Sequence, residues 1–207
     1  MIEVKVSKII KTYKGISNLT VEHSFPQFSI TKVSGPSGAG KTTFLKIIAG
    51  LVKPETGVLT VNGQTWLNTA DKINWSPQER RVGFVFQDYA LFPNMTVVQH
   101  LKYATADHTL IERLLHLGQM DSFADHRPAH LSGGQQQRLA MLRALALKPT
   151  LLLLDEAFSA LDDELREMLI TDLKIILKEF DTTTIIVSHH AQETENFAER
   201  SLKIELE

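Results

Sequence analysis

The sequence predicts an α/β fold with a mainly parallel central sheet, an N-terminal antiparallel β subdomain and a helical insertion. Three observations carry that prediction. Short β-branched runs alternate with longer segments of helical period. The runs at residues 82–86, 151–154 and 184–187 are nearly all apolar, as strands buried on both faces are, so these three are expected at the centre of the sheet. Residues 88–147 hold several helical patterns and no strand-like run.

In chain order, residues 2–6 and 19–23 alternate apolar and polar positions, the pattern of half-exposed antiparallel strands. Residues 28–33 form a strand that runs directly into a glycine-rich turn and a helix over 41–49. The turn Lys53-Pro54-Glu55-Thr56-Gly57 precedes a strand at 58–62. After the strand at 82–86, helices are expected at 97–104, 109–117 and 133–146, then the strand at 151–154, a helix over 162–179 and the strand at 184–187. The whole chain, residues 1–207, reads as one domain whose core comes from 1–87 and 148–207, with 88–147 inserted between the halves.

Composition narrows the classes of function. With 43% apolar and 22% charged residues in 207, the chain is an ordinary globular one. Lys and Arg total 22 against 24 Asp and Glu, and the net charge of -2 offers no bulk attraction for nucleic acid or anionic lipid. The absence of cysteine excludes disulfides, thiolate zinc sites and a catalytic thiol, and fits a cytoplasmic setting. No run reaches the roughly 18 to 20 apolar residues that a membrane-spanning helix needs. The opening MIEVKVSKII shows none of the pattern of an export signal.

Gly35-Pro36-Ser37-Gly38-Ala39-Gly40-Lys41-Thr42 matches G-x-x-x-x-G-K-[ST] between an apolar strand and a helix start, the context a phosphate-binding loop requires. Its glycines let successive N–H groups turn inward around phosphate oxygens, and the helix N-terminus adds a positive dipole. Lys41 supplies a point charge and Thr42 a hydroxyl ligand for Mg²⁺. Leu151-Leu152-Leu153-Leu154-Asp155-Glu156 is a buried strand ending in two acids, and burying either carboxylate without a cation is costly. Because side chains alternate along a strand, the two are expected to divide the work. Asp155 would orient Mg²⁺, and Glu156 would be the general base that polarises the attacking water.

Leu131-Ser132-Gly133-Gly134-Gln135 opens another helix N-terminus able to face an anion. Placed between the phosphate loop and the LLLLDE strand, it resembles the signature motif of the ATP-binding cassette (ABC) ATPases, and the resemblance extends over essentially the whole chain. It implies a P-loop NTPase core that binds ATP with Mg²⁺ through Gly35, Pro36, Ser37, Gly38, Ala39, Gly40, Lys41, Thr42 and Thr43. It also implies an ATP-bound head-to-tail homodimer in which Ser132, Gly133, Gly134 and Gln135 of one subunit cover the γ-phosphate held by Lys41 of the other. By the same resemblance Gln87 is the glutamine that touches Mg²⁺ or the attacking water, so that Thr42, Gln87 and Asp155 form the metal set. Glu156, His189, Gln87 and Lys41 form the catalytic set. Asp162, in Ser159-Ala160-Leu161-Asp162, would contact the opposite phosphate loop, and its alternative reading is a helix N-cap. His189 resembles the switch histidine. His190 follows it where the family usually has Asp. Tyr13 is a candidate platform for adenine, with surface packing as the alternative.

The stretch from Glu79 through Gln87 to Val97 resembles the importer branch of the family, and within it most resembles the molybdate importer ATPase. Importer members dock integral membrane permease subunits, here expected near Gln87 to Met95 through Tyr89, Leu91, Phe92 and Met95, with no bilayer insertion of their own. That puts the protein on the inner face of the cell membrane through the permease. Many relatives continue into a C-terminal regulatory domain, and this chain stops soon after His189. A soluble ABC ATPase acting on nucleic acid or ribosomes usually has two cassettes or a long coiled-coil insertion, and a small-molecule kinase leaves LSGGQ unexplained. His126 and His130 are four apart, but Pro128 interrupts their helix, so they read as solvated histidines and not zinc ligands.

Overall fold

Strand and helix order follow from where the apolar residues alternate. A computed structural model describes residues 1–12, 15–188 and 197–206, so Tyr13, His189 and His190 lie outside the described residues. One sheet is antiparallel, in the order β2 (Gly15–Phe25), β1 (Ile2–Thr12), β4 (Thr56–Val61), β5 (Gln64–Asn68), β6 (Ile73–Asn74). The other has the order β10 (Arg200–Lys203), β3 (Ile30–Ser34), β9 (Thr183–Val187), β8 (Leu151–Asp155), β7 (Gly83–Val85), and every pairing in it is parallel.

The period-2 geometry of β8 divides the protein into two cores. Leu151 and Leu153 face α1 (Lys41–Ile48) and the inner residues Ile2, Val4, Val6 and Leu19 of the antiparallel sheet. Leu152 and Leu154 face the opposite way, toward α3 (Val97–Ala104), α4 (His108–Leu117), α5 (Gly133–Ala146) and α6 (Asp163–Glu179). α1 is thus enclosed between the two sheets. Between β7 and β8 the described elements are α3, α4, α5 and two short 3-10 turns, Asp121–Phe123 and Pro128–His130.

Three features depart from the sequence expectations. β7 is an edge strand, paired to β8 alone among the described residues, and not central. Its apolar character has another cause: α5 lies so close that a Cβ on Gly83 would meet Ala144 O at 3.0 Å and Pro149 Cγ at 2.9 Å. The β1–β2 hairpin is longer than expected, with register running from Ile2 opposite Phe25 to Thr12 opposite Gly15. The short elements β5, β6, β10 and α2 (Pro77–Arg80) were not anticipated, because runs of two to five residues carry too few periods to stand out.

α2 matters for the phosphate loop helix. Ser76 opens it with a capping box to Glu79, and Arg80 closes it only 2% exposed. The last carbonyls of a helix lack intrahelical donors. Arg80 reaches across and donates through Nη1 to Ile47 O at 2.8 Å and Ile48 O at 2.7 Å, through Nε to Trp75 O at 3.0 Å and through Nη2 to Asn74 Oδ1 at 3.0 Å. Burial lowers its pKa to about 10. Arg80→Met keeps most of the volume but strips these donors, and is expected to destabilise the protein by about 3 kcal/mol. A urea midpoint unchanged from wild type would contradict that role.

Candidate nucleotide site

The loop between β3 and α1 needs glycine for two separate reasons. Gly40, the N-cap of α1, has φ 84°, in the left-handed region that favours glycine, and a Cβ there would press on Ile10 Cδ1 and Leu19 Cδ2 at 3.1 Å. At Gly35 a Cβ would lie 2.3 Å from Ile204 O, so the chain beyond β10 closes on the loop from below. Pro36, Ser37 and Gly38 are exposed at the loop crest, and Ala39 is buried beneath it.

Lys41 is 5% exposed, and its Nζ folds back to donate to Gly35 O and Pro36 O, each at 2.9 Å. Burial lowers its pKa, while the Glu156 and Asp155 carboxylates pull the other way. The Lys41 amine is thus held inside the loop, with both acids near enough to feel it. On β8, Asp155 shares the face of Leu151 and Leu153, the one turned toward α1, and its Oδ1 accepts from Thr42 Oγ1 at 3.1 Å. Glu156 leaves the strand at φ 55°, a left-handed conformation unusual for a side-chain-bearing residue.

These residues meet in two adjoining cavities. One, of about 380 Å³, is lined by Ser37, Gly38, Gly40, Lys41, Thr42, Thr43, Gln87 and Glu156, with Ile10, Lys11 and Val187. The other, of about 640 Å³, has Thr42, Gln87 and Asp155 in its wall together with Lys46, Phe86, Asp88 and Ala90. Both lie in the range of small-molecule sites, roughly 300 to 1,000 Å³. The hydroxyl of Thr42, the carboxylate of Asp155 and the amide oxygen of Gln87 are hard oxygen donors, the set that suits Mg²⁺ with a single carboxylate and phosphate oxygens completing its shell. The residues present fit that ion.

Ser132, Gly133, Gly134 and Gln135 line neither cavity. Ser132 caps α5, accepting from Gln135 N at 3.3 Å while its own N–H donates to Gln135 Oε1 at 2.8 Å. Ser132 and Gly133 are exposed, and a Cβ on Gly133 would meet open space. The N-terminus of α5 is thus exposed, with none of the described residues within 4 Å of a Cβ placed on Gly133. Asp162 is exposed and caps α6, its Oδ1 accepting from Leu165 N at 2.9 Å.

The segment after Gln87 is shaped by residues the sequence reading did not single out. Tyr89 and Ala90 both have positive φ, 63° and 46°. Arg143 of α5 holds their carbonyls, through Nη2 to Tyr89 O at 3.1 Å and Nη1 to Ala90 O at 2.6 Å. His100, fully buried, accepts from Phe92 N at Nε2 (2.9 Å) and bonds Thr96 O through Nδ1 at 2.8 Å, which requires the proton on Nδ1. Burial depresses its pKa and keeps it neutral. Of the four docking candidates, Tyr89 and Leu91 pack in part against the helical core, whereas Phe92 is 38% exposed beside the exposed ring of Tyr103.

Residues 19–159 match the family model described as ABC transporter. The chain belongs to the ABC transporter family. It is 39% identical over 202 residues to the sulfate/thiosulfate import ATP-binding protein CysA of Mesostigma viride, covering 94% of this chain and 56% of that one. It is 37% identical over 209 residues to the spermidine/putrescine import ATP-binding protein PotA of Lawsonia intracellularis, covering 97% and 55% respectively. The chain therefore spans a little over half the length of these curated relatives. Among solved structures it is similar to the ATP-binding cassette MJ0796, in a dimeric post-hydrolysis state bound to ADP and Pi, with TM-score 0.84 and 30% identity over 99% of this chain. The α/β architecture of parallel and antiparallel sheets is that of this cassette. Among the described residues no helix is long and apolar enough to cross a membrane.

Proposed function

We propose that this chain is the ATP-binding and ATP-hydrolysing subunit of a membrane ABC importer. The observation that carries the reading is the split of the machinery. Lys41, Thr42, Gln87 and Glu156 line one cavity, while the Ser132 helix terminus lies outside that lining and is exposed. A site divided in this way is completed by a second copy arranged head to tail, two equivalent sites per pair.

In that pair the Lys41 ammonium would leave the Gly35 and Pro36 carbonyls for the β- and γ-phosphates, and the loop N–H groups would surround them. Thr42, Asp155 and Gln87 would hold Mg²⁺, which supplies charge neutralisation at the phosphates when bound. The γ-phosphate would attract the partner's exposed α5 terminus and draw the two copies together. Glu156 would take the proton of a water positioned for in-line attack. Loss of the shared anion would then release the pair. His189 is assigned to sense the γ-phosphate and Tyr13 to stack on adenine, with Asp162 crossing to the opposite loop.

Closure would reach the membrane partner through the insertion of residues 88–147. Phe92 and Tyr103 present the exposed aromatic surface, and Arg143 ties the loop beneath them to α5. The protein would sit on the inner face of the cell membrane through that permease. Two of the named relatives are importers of different solutes, sulfate/thiosulfate and spermidine/putrescine. An oxyanion is the reading we favour for the solute, with molybdate and sulfate in the same class of tetrahedral dianion. The test is ATP turnover with and without a co-purified permease. Turnover that needs ATP-driven pairing and changes when the permease is present supports the reading. ATP hydrolysis by a strictly monomeric chain would sink it.

A further inference from the structure

Gln137 is a polar residue on the inner face of α5, 1% exposed, a short way along the helix that Ser132 opens. Its Nε2 donates to Glu156 O at 2.9 Å and reaches Ser159 Oγ at 3.4 Å, and its Oε1 accepts from Ala160 N at 3.1 Å. Ser159 Oγ donates to the same Glu156 carbonyl at 3.0 Å. On the other side, Glu156 N donates to Val187 O at 3.0 Å.

The backbone of Glu156 is thus held at both ends in a conformation that costs a side-chain-bearing residue about 1 to 3 kcal/mol when nothing fixes it. β9 holds the N–H, and α5 holds the carbonyl through Gln137. That conformation turns the Glu156 side chain off the alternation of β8 and into the cavity with Lys41. Nearer the helix start, a Cβ on Gly134 would lie 3.1 Å from Ala160 O, so the backbone of the LSGGQ segment rests on the same turn.

We propose that Gln137 is a positioning residue that sets the aim of Glu156 and links it to the engagement of α5 with the partner's nucleotide. This rests on the reading of Glu156 as general base and of the chain as one half of a composite dimer. The link is mechanical. The terminus of α5 meets the nucleotide held by the partner, and Gln137, on the same rigid helix, grips the base serving its own site. A small shift of α5 moves the Glu156 carbonyl directly, and misplacement of a reacting group by about 1 Å can cost on the order of 100-fold in rate. Each site would then fire only when its own subunit has engaged the other, which couples the two hydrolysis events.

Four variants test this, each assayed for ATP affinity, turnover at saturating ATP and thermal midpoint. Gln137→Met keeps the shape and removes both hydrogen-bonding ends. It is expected to bind ATP within about twofold of wild type and to lose roughly tenfold or more in kcat with KM little changed, the pattern of an interaction made only on the way to the transition state. Combined with Glu156→Gln it should add almost no further loss, since a residue acting through Glu156 has nothing left to aim. Gln137→Glu can replace the amide only when its carboxyl is protonated, so its turnover relative to wild type should rise as pH falls, and that of Gln137→Met should not. Normal kcat in Gln137→Met, or a loss that multiplies fully with that of Glu156→Gln, overturns the inference. Should Gln137→Met fail to bind ATP, the pH series of Gln137→Glu decides, and a flat ratio to wild type overturns it. Full turnover by Glu156→Gln alone removes the general-base reading and this inference with it, which separates the two failures.

Discussion

Glu156→Gln is expected to bind ATP as well as wild type or better while losing about 100-fold or more in turnover, the range assigned to a positioned general base. The amide has the shape of the carboxylate, so the backbone held by Gln137 and Val187 stays in place. What changes is charge. Glu156 is 7% exposed and shares its cavity with Lys41 and the phosphate loop, where its carboxylate opposes the negative charge of a triphosphate. Neutralising it removes that repulsion and the proton acceptor together. The variant should therefore accumulate as a closed pair with ATP, visible as a shift to dimer in size-exclusion chromatography with ATP and Mg²⁺. Hydrolysis at the wild-type rate would show that another group takes the proton.

The phosphate loop, the acid pair and the outward helix terminus were legible in the sequence because each depends on residues adjacent in the chain. Gly40 must be glycine for a local reason, its φ of 84°, and a motif records such local demands well. Asp155 was legible as well, because strand alternation fixes which face it shares once Leu151 and Leu153 are known to point toward α1. Gln137 was not. It sits in the run Gln135-Gln136-Gln137, and nothing local distinguishes the residue that is 1% exposed from its two half-buried neighbours. Its burial becomes favourable only because the turn after β8 brings a carbonyl, a hydroxyl and an N–H to meet its amide.

Arg80 and β7 make the same point from the other side. A charged side chain is rarely buried unless paired, yet the end of α1 offers Arg80 carbonyls to satisfy. The apolar run of β7 suggested a central strand, and its cause is a helix packed over an edge. A buried strand and a covered edge leave the same composition, so periodicity alone could not separate them.

Lys41→Ala is expected to act on binding itself, weakening ATP by about 10- to 100-fold, since charge-assisted hydrogen bonds are worth roughly 1.5 to 3 kcal/mol. Wild-type Lys41 already lies in the loop with its ammonium on two carbonyls, so little reorganisation separates that state from one in which the same atoms face phosphate. Its burial lowers its pKa, and the Glu156 and Asp155 carboxylates oppose that shift. Removing the side chain takes away the charge that balances both the acids and the nucleotide. The contrast with Glu156→Gln is therefore in the sign of the affinity change: loss for Lys41→Ala, retention or gain for Glu156→Gln. Calorimetric titration with ATP and Mg²⁺ measures both. Equal affinity in Lys41→Ala and wild type would show that the phosphates are held by the backbone N–H groups alone.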